Sequence, residues 1–312
     1  MERVPRSTGE VLSDAVALLR RNFRVFYALA LPFCTVDLLM RESGNAVMDA
    51  VRKRLTNLDA DTALPALASL SGAMGLIFGA LLVGTLLSAG LIHLTAELWA
   101  GRAPGPKDAL QAILRRGPAL VGTALLFGLG LAFATMTPAA VAMVTGVFFG
   151  TVGAAVGGLL GLAWVVVVAL VLSLRWLLYA QAVVVEERVA TGALGRSTEL
   201  MARRGLPFFE APKVRLSLLF LVTFALSITL SSLFAGPRLA WALWSGWELQ
   251  NGLPPLLTMP LWSVVPLALA EVGLQAIIAP LGAVLVTLFY FDLRVRFEGL
   301  DLEAPAPADS PG

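Results

Sequence analysis

The chain has 312 residues, of which 58% are hydrophobic and only 14% are charged, and its mean hydropathy is +0.82. Soluble domains carry about 25% charged residues, so this composition excludes a soluble globular protein and predicts a membrane protein. The net charge of +2 is small and the basic residues are scattered, which excludes the basic face that nucleic-acid binding requires.

Six apolar segments are long enough to be spanning helices, which need about 20 mostly apolar residues. In chain order they cover residues 25–40, 71–95, 119–138, 153–185, 216–234 and 264–291. We therefore predict an all-α polytopic membrane bundle of six transmembrane helices. The stretch 119–185 could also hold three short helices, but three would place the basic loop 188–215 outside, against the positive-inside rule. Two helices are predicted instead, with the turn between Thr137 and Gly150.

The lysines and arginines indicate the orientation of these spans. With the N-terminus inside, 17 of them fall on the cytoplasmic side and five on the outer side, while Arg175 lies within a span. Because basic residues collect on the cytoplasmic side, both termini are predicted to be cytoplasmic. No cleavable signal peptide is evident, and the Ala/Pro-rich tail 304–312 is predicted to be disordered.

Three arginine pairs each close a short amphipathic stretch that leads into the first, third or fifth span. The pairs are Arg20-Arg21, Arg115-Arg116 and Arg203-Arg204. Thr8-Gly9 and Thr191-Gly192 precede the first and third pairs by the same interval, and Gly117 and Gly205 are predicted to end the second and third stretches. This pattern predicts amphipathic interfacial helices on the cytoplasmic side, whose arginines are candidate contacts for anionic phospholipid. The repeat divides a single membrane domain, 1–303, into units 7–95, 105–185 and 191–291.

A few polar side chains interrupt the spans. A charge at the bilayer centre costs about 2.5–3.5 kcal/mol, so each of Asp37, His93, Arg175 and Glu271 needs a partner or a wet cavity. At about 1.5 Å of rise per residue, Asp37 and Arg175 lie at similar depths, and we predict that they pair in the middle of the bundle. Glu271 and Gln275 are one helical turn apart near the outer face and are candidates to line a cavity there. His93 lies near the inner face.

Glycine patterns in the fourth span favour close helix packing. Gly153, Gly157 and Gly161 form two overlapping GxxxG motifs in an apolar run. An exposed small-residue face of this kind would suit a partner membrane protein or a second copy of the chain.

Catalytic, cofactor-binding and metal-binding signatures are missing from the sequence. Cys34 and His93 are the single cysteine and the single histidine, which excludes multi-histidine metal sites. Glu186-Glu187 resembles the paired glutamates of intramembrane CAAX-type proteases. Thr191 stands where those enzymes need arginine, however, and they also need further histidines, so that interpretation is rejected. We predict no catalytic, cofactor-binding or metal-binding residues.

Three motifs together resemble a known family. They are STGEVL through LRRNFR (7–24), VVVE through ALGRS (183–197) and FYFDLRVRFEGLD (289–301). They are similar to motifs of the bacterial glycerophosphoryl diester phosphodiesterase membrane-domain proteins, and the closing motif is the most specific of the three. The resemblance implies a six-span bacterial inner-membrane protein. The soluble phosphodiesterase domain of some relatives is absent here, so the resemblance does not carry that activity over.

The sequence therefore predicts a non-enzymatic multi-pass membrane protein that acts as a scaffold, as a subunit of a membrane complex or in lipid organisation. A transporter or permease component with a polar path near Asp37, Arg175 and Glu271 is the alternative. The weakest alternative is an enzyme that acts on lipid headgroups, with the cytoplasmic arginines holding phosphate.

Overall fold

The computed structural model describes residues 6–55, 60–202, 210–247 and 254–299. Within these ranges the chain is helical and contains no strand, which confirms the all-α prediction. The helices are α1 (Thr8–Arg21), α2 (Phe23–Leu55), α3 (Ala60–Trp99), α4 (Pro106–Trp176), α5 (Tyr179–Glu186), α6 (Thr191–Ala202), α7 (Pro212–Ser245) and α8 (Leu261–Glu298), and a 3₁₀ turn covers Leu256–Thr258.

Six helical segments in these ranges are long and apolar enough to cross a membrane. They are Phe23–Arg52, Ala68–Trp99, Pro106–Ala134, Ala155–Glu186, Pro212–Ser245 and Leu261–Glu298. Each contains or largely overlaps one of the six predicted spans, so the polytopic bundle is confirmed. We call the end of the bundle where α1, α6 and the last turns of α8 meet the basal end. The opposite end, with the first turns of α8, is the distal end.

Helix α4 is a hairpin of two long arms. At Gly150 the backbone takes φ 62° and ψ −150°, a conformation that glycine adopts without a steric penalty. The arms then pack antiparallel, since the ring of Phe127 lies 5.9 Å from that of Trp176. The stretch 119–185 thus holds two spans, as predicted.

The glycines of the fourth span serve this hairpin itself. A Cβ added to Gly153 would lie 2.3 Å from the carbonyl oxygen of Thr145 on the first arm. Gly153 and Gly157 are both buried. Gly153 therefore lets the arms of α4 approach each other, and neither of these two glycines is exposed, while Gly161 is half-buried. A partner at a glycine-rich face stays a prediction.

Helix α1 has the bounds predicted for the first amphipathic stretch, and its position at a membrane interface stays a prediction. The Ser7 hydroxyl accepts a hydrogen bond from the backbone N–H of Glu10 at 3.2 Å, and the Glu10 carboxylate accepts from the N–H of Ser7 at 2.5 Å. Its buried face is formed by Val11, Ala15, Leu18 and Leu19. The helix ends at Arg21, with Asn22 between it and α2.

The second amphipathic stretch does not form a separate helix, so that prediction is wrong. Helix α4 runs from Pro106 through Gly117 without a break. Gly117 is needed for packing, because a Cβ there would lie 2.6 Å from Leu86 of α3. Gly90 of α3 is equally tight against Ile113, at 2.8 Å. Glycine here allows a close crossing of α3 and α4 and does not cap a helix.

Helix α6 begins at Thr191, just as α1 begins at Thr8, so the two helices start in the predicted register. The end predicted at Gly205, the pair Arg203-Arg204 and the tail 304–312 lie outside the described residues. The division into three repeated units stays a prediction.

Packing is uneven around the bundle. In an apolar stretch of 18 residues in α8, 44% of the residues are buried, whereas the corresponding stretch of α7 has 6% buried. Helices α2, α3 and α8 enclose most of the core, whose largest buried side chains include Phe26, Leu91, Phe289 and Tyr290. The distal arms of α4 and most of α7 instead present apolar side chains outward, as lipid-facing helices do.

Candidate functional site

The basal end of α8 joins two networks of ion pairs. The first is centred on Glu186 at the end of α5. Its carboxylate accepts hydrogen bonds from Arg196 Nε at 2.9 Å and from the Tyr290 hydroxyl. Arg196 is 7% exposed and also pairs with Glu298. Burial works against the charge on Arg196, but its hydrogen bonds with Glu186 and Glu298 outweigh that effect and raise its pKa above the ordinary value.

The second network is centred on Asp292, one turn of α8 before Arg296. The Asp292 carboxylate accepts from Arg215 Nη1 at 2.7 Å, from the backbone N–H of Arg6 at 2.7 Å and from Arg296 Nε at 3.0 Å. The side chains of Arg215 and Asp292 are 3% and 2% exposed. Arg215 also donates to the Thr8 hydroxyl at 3.2 Å. This network fastens α1 and α7 onto α8.

These networks bring together the three sequence motifs at 7–24, 183–197 and 289–301. Arg6 and Thr8 lie at the opening motif, Glu186 and Arg196 belong to the central one, and Asp292 belongs to the closing one. Their charged side chains are engaged with one another, so in this structure the motifs hold the basal end together.

Helix α6 packs against a break in the helical chain between α4 and α5. The buried Ser197 hydroxyl donates to the carbonyl oxygen of Arg175 at 2.9 Å and accepts from the N–H of Leu178 at 3.1 Å. Arg175 Nε donates to the Thr198 hydroxyl at 3.2 Å. These bonds satisfy backbone groups that a helix break leaves open.

The structure does not bring Asp37 and Arg175 together, so the predicted pair is wrong. The depth estimate assumed one straight helix to Glu186, whereas the chain breaks after Trp176 and Arg175 faces α6. Asp37 lies on α2, where the nearest charge that acts on it is Arg41 on the same helix.

A basal cavity of about 660 Å³ gathers several of the predicted residues. Its charged and polar lining comprises His93, Glu97, Arg102, Asp108, Gln111, Arg115, Arg116 and Glu187. Arg102 pairs with Glu97, and this hydrogen bonding raises the pKa of Arg102. Arg116 pairs with Glu187. Arg115 makes no ion pair with any described residue, so its guanidinium is available to an anion in the cavity.

The first arginine pair is placed differently. Arg20 and Arg21 are exposed in the last turn of α1 and do not reach this cavity.

Glu271 belongs to a cluster at the distal side of the bundle. It accepts from Arg41 Nη2 at 2.7 Å and from Arg238 Nη2 at 3.1 Å, and Arg238 also donates to Glu42 at 3.0 Å. Glu42 in turn accepts from the N–H of Leu256 at 2.7 Å. The two arginines and two glutamates sum to zero charge, which explains how Glu271 is tolerated in a span.

A midplane cavity of about 350 Å³ lies between α2, α3, α5 and α8. Its polar lining is Asp37, Ser88, Gln181 and Gln275, and the rest is apolar or small, including Phe33 and Leu91. Gln275 also lines a narrow space of about 30 Å³ beside Glu271, so the predicted proximity of Glu271 and Gln275 holds. Gln181 is 3% exposed, and its Oε1 is buried without a hydrogen-bond partner among the described residues.

Sequence reasoning missed Gln181 and the partners of Glu271. Gln181 stands alone in the apolar run before Glu186, and a single amide at that position could have drawn attention. Arg41 and Arg238 lie outside the predicted spans 25–40 and 216–234, but α2 and α7 extend past these spans and both side chains reach Glu271.

Among the described residues no group of three or more His, Cys, Asp or Glu side chains could hold a metal ion. Comparison with family models, with curated proteins and with solved structures gives no match for this chain. The candidate sites therefore stand on the geometry of the chain itself.

Proposed function

We propose that the chain is a non-enzymatic, multi-pass scaffold of the bacterial inner membrane that holds phospholipid headgroups at its basal end. The basal end faces the cytoplasm in this proposal, because most lysines and arginines belong to it. The observation that carries the proposal is the basal cavity with Arg115 and Arg116 in its wall.

The chemistry of this cavity suits a lipid phosphate. Arg115 has no ion-pair partner among the described residues, and a guanidinium binds phosphate oxygens through two parallel N–H groups. Leu110 and Leu114 lie on the same stretch of α4 and are 46% and 79% exposed, so acyl chains have an apolar surface beside the arginines. The ion-pair networks on α8 hold the surrounding helices in place, as a scaffold requires.

Native mass spectrometry of the delipidated protein with added phosphatidylglycerol, phosphatidylethanolamine or inorganic phosphate tests this proposal. A charge-assisted hydrogen bond contributes about 1.5–3 kcal/mol, so Arg115→Gln should weaken lipid binding about tenfold or more. Arg175→Gln is the matched control, since Arg175 is exposed and lies outside the cavity. Equal binding by both variants would contradict the proposal. Binding of free phosphate alone would identify a soluble anion as the ligand in place of lipid.

A transporter or permease component is the second candidate, favoured by the alignment of two cavities. Ile92 and Gln181 line the midplane cavity, while His93 and Val184 line the basal one. The two cavities are therefore lined by consecutive residues of α3 and by residues about one helical turn apart on α5. Substrate flux into proteoliposomes distinguishes this candidate, because a scaffold binds its lipid without moving any solute.

A further inference from the structure

We infer that the midplane cavity binds a small organic ammonium ion, whose N–H groups meet the Asp37 carboxylate and the Gln181 amide. This inference does not rest on the lipid site, because the two cavities have different linings. No described residue makes a hydrogen bond or an ion pair with the Asp37 carboxylate or the Gln181 amide.

The buried amide is the first observation. Only 3% of the surface of Gln181 is exposed, and its Oε1 accepts no hydrogen bond from a described residue. A buried acceptor without a hydrogen bond destabilises the protein. A ligand that donates a hydrogen bond into the cavity removes this cost, whereas an apolar ligand does not.

The second observation is the charge of the lining. Asp37 is the one ionisable carboxyl among the residues that line the cavity, and none of them is basic. Arg41, one turn away on α2, is engaged with Glu271 at 2.7 Å, in a cluster that is already neutral. The negative charge of Asp37 therefore lacks a matching cation in contact, and an occupant with a single positive charge would supply it.

The size and walls of the cavity define the rest of the ligand. About 350 Å³ lies at the lower end of the range for small-molecule sites. Phe33, Leu87 and Leu91 contribute apolar wall, and Ser88 and Gln275 add polar atoms. A compact ammonium ion with a short alkyl or benzyl group fits this combination better than a bare metal ion, which would need more oxygen ligands.

Isothermal titration of the full chain in maltoside micelles, in an amine-free buffer, tests the inference. The probes are n-butylammonium and benzylammonium, with n-butanol and butyrate as uncharged and anionic counterparts. We expect saturable binding of the ammonium ions alone. Asp37→Asn should weaken it at least tenfold and Gln181→Leu several-fold, because each change removes one acceptor.

Asp14→Asn is the control, since it makes the same change at an exposed basal position. Thermal unfolding without ligand checks that each variant is folded. With ligand, the melting temperature of the parent chain should rise, whereas that of Asp37→Asn should not. The inference is overturned if no ammonium ion binds saturably, if butanol binds as well, or if Asp37→Asn binds like Asp14→Asn. The lipid-binding measurement is unaffected by any of these outcomes, so failure of this inference and failure of the proposed scaffold are distinguishable.

Discussion

The basal end and the middle of the bundle treat buried charge in opposite ways. At the basal end Asp292 and Arg215 are almost fully buried, and each is matched by an opposite charge within 2.7 Å. In the middle, Asp37 has no ion-pair partner among the described residues. Gln181 lines the same cavity, and its Oε1 accepts no hydrogen bond from them. Matched charges hold helices together, whereas unmatched groups in a cavity indicate a ligand. The comparison separates the residues that stabilise this fold from those that are available for function.

The largest expected effect is at Asp292. Asp292→Asn keeps the size of the side chain but leaves Arg215 buried without a counter-charge, which costs about 3–5 kcal/mol. We expect the free energy of unfolding in micelles to fall by that amount. Asp14→Asn, whose carboxyl is 37% exposed, should cost less than about 1 kcal/mol. Equal losses in the two variants would erase the distinction between the basal network and an ordinary surface pair.

An intermediate effect is expected at Ser197. Ser197→Ala leaves the N–H of Leu178 and the carbonyl oxygen of Arg175 without their buried partner, at a cost of about 1–3 kcal/mol. Thermal unfolding should show the loss. Ser13→Ala on α1 is the matched control, because Ser13 is exposed and should change stability little. A fully stable Ser197→Ala variant would mean that α6 does not secure the helix break.

The smallest expected effect on stability is at Asp37. Asp37→Leu removes a partly buried charge that has no ion-pair partner, so the melting temperature should stay unchanged or rise. Glu271→Leu is the contrasting variant, since it leaves Arg41 and Arg238 without their shared acceptor and should lower the melting temperature. A clear loss of stability in Asp37→Leu would contradict the assignment of Asp37 to a ligand site.

Composition and periodicity were sufficient to predict the six spans, because a bilayer requires long apolar helices whatever their packing. The choice of two spans in 119–185 followed from the charge bias of the loops, whereas the turn was predicted only to lie within 137–150 and the structure places it at Gly150. The same reasoning failed for Gly117, since sequence alone does not distinguish a glycine that ends a helix from one that admits a neighbour such as Leu86. It also failed for Arg175, because the break after Trp176 depends on the Ser197 hydroxyl of another helix.

The candidate sites were only partly predictable for a related reason. Asp37, His93, Arg115 and Gln275 stood out as polar residues in apolar or basic settings, and the structure places each of them at a cavity. Which residues share a cavity depends on how helices far apart in the chain pack together. The lone amide of Gln181 is visible in the sequence, but the residues of α2 and α8 that share its cavity are not.

The closed hairpin of α4 also has a consequence for how the chain enters the membrane. No charged side chain occurs between Arg116 and Arg175, so neither arm nor the turn at Gly150 carries a charge across the hydrocarbon core during insertion. The end of α2 differs, because in the proposed orientation its Arg52, Lys53 and Arg54 are translocated. With its glycine-lined arms already paired, the α4 hairpin can insert as a single unit.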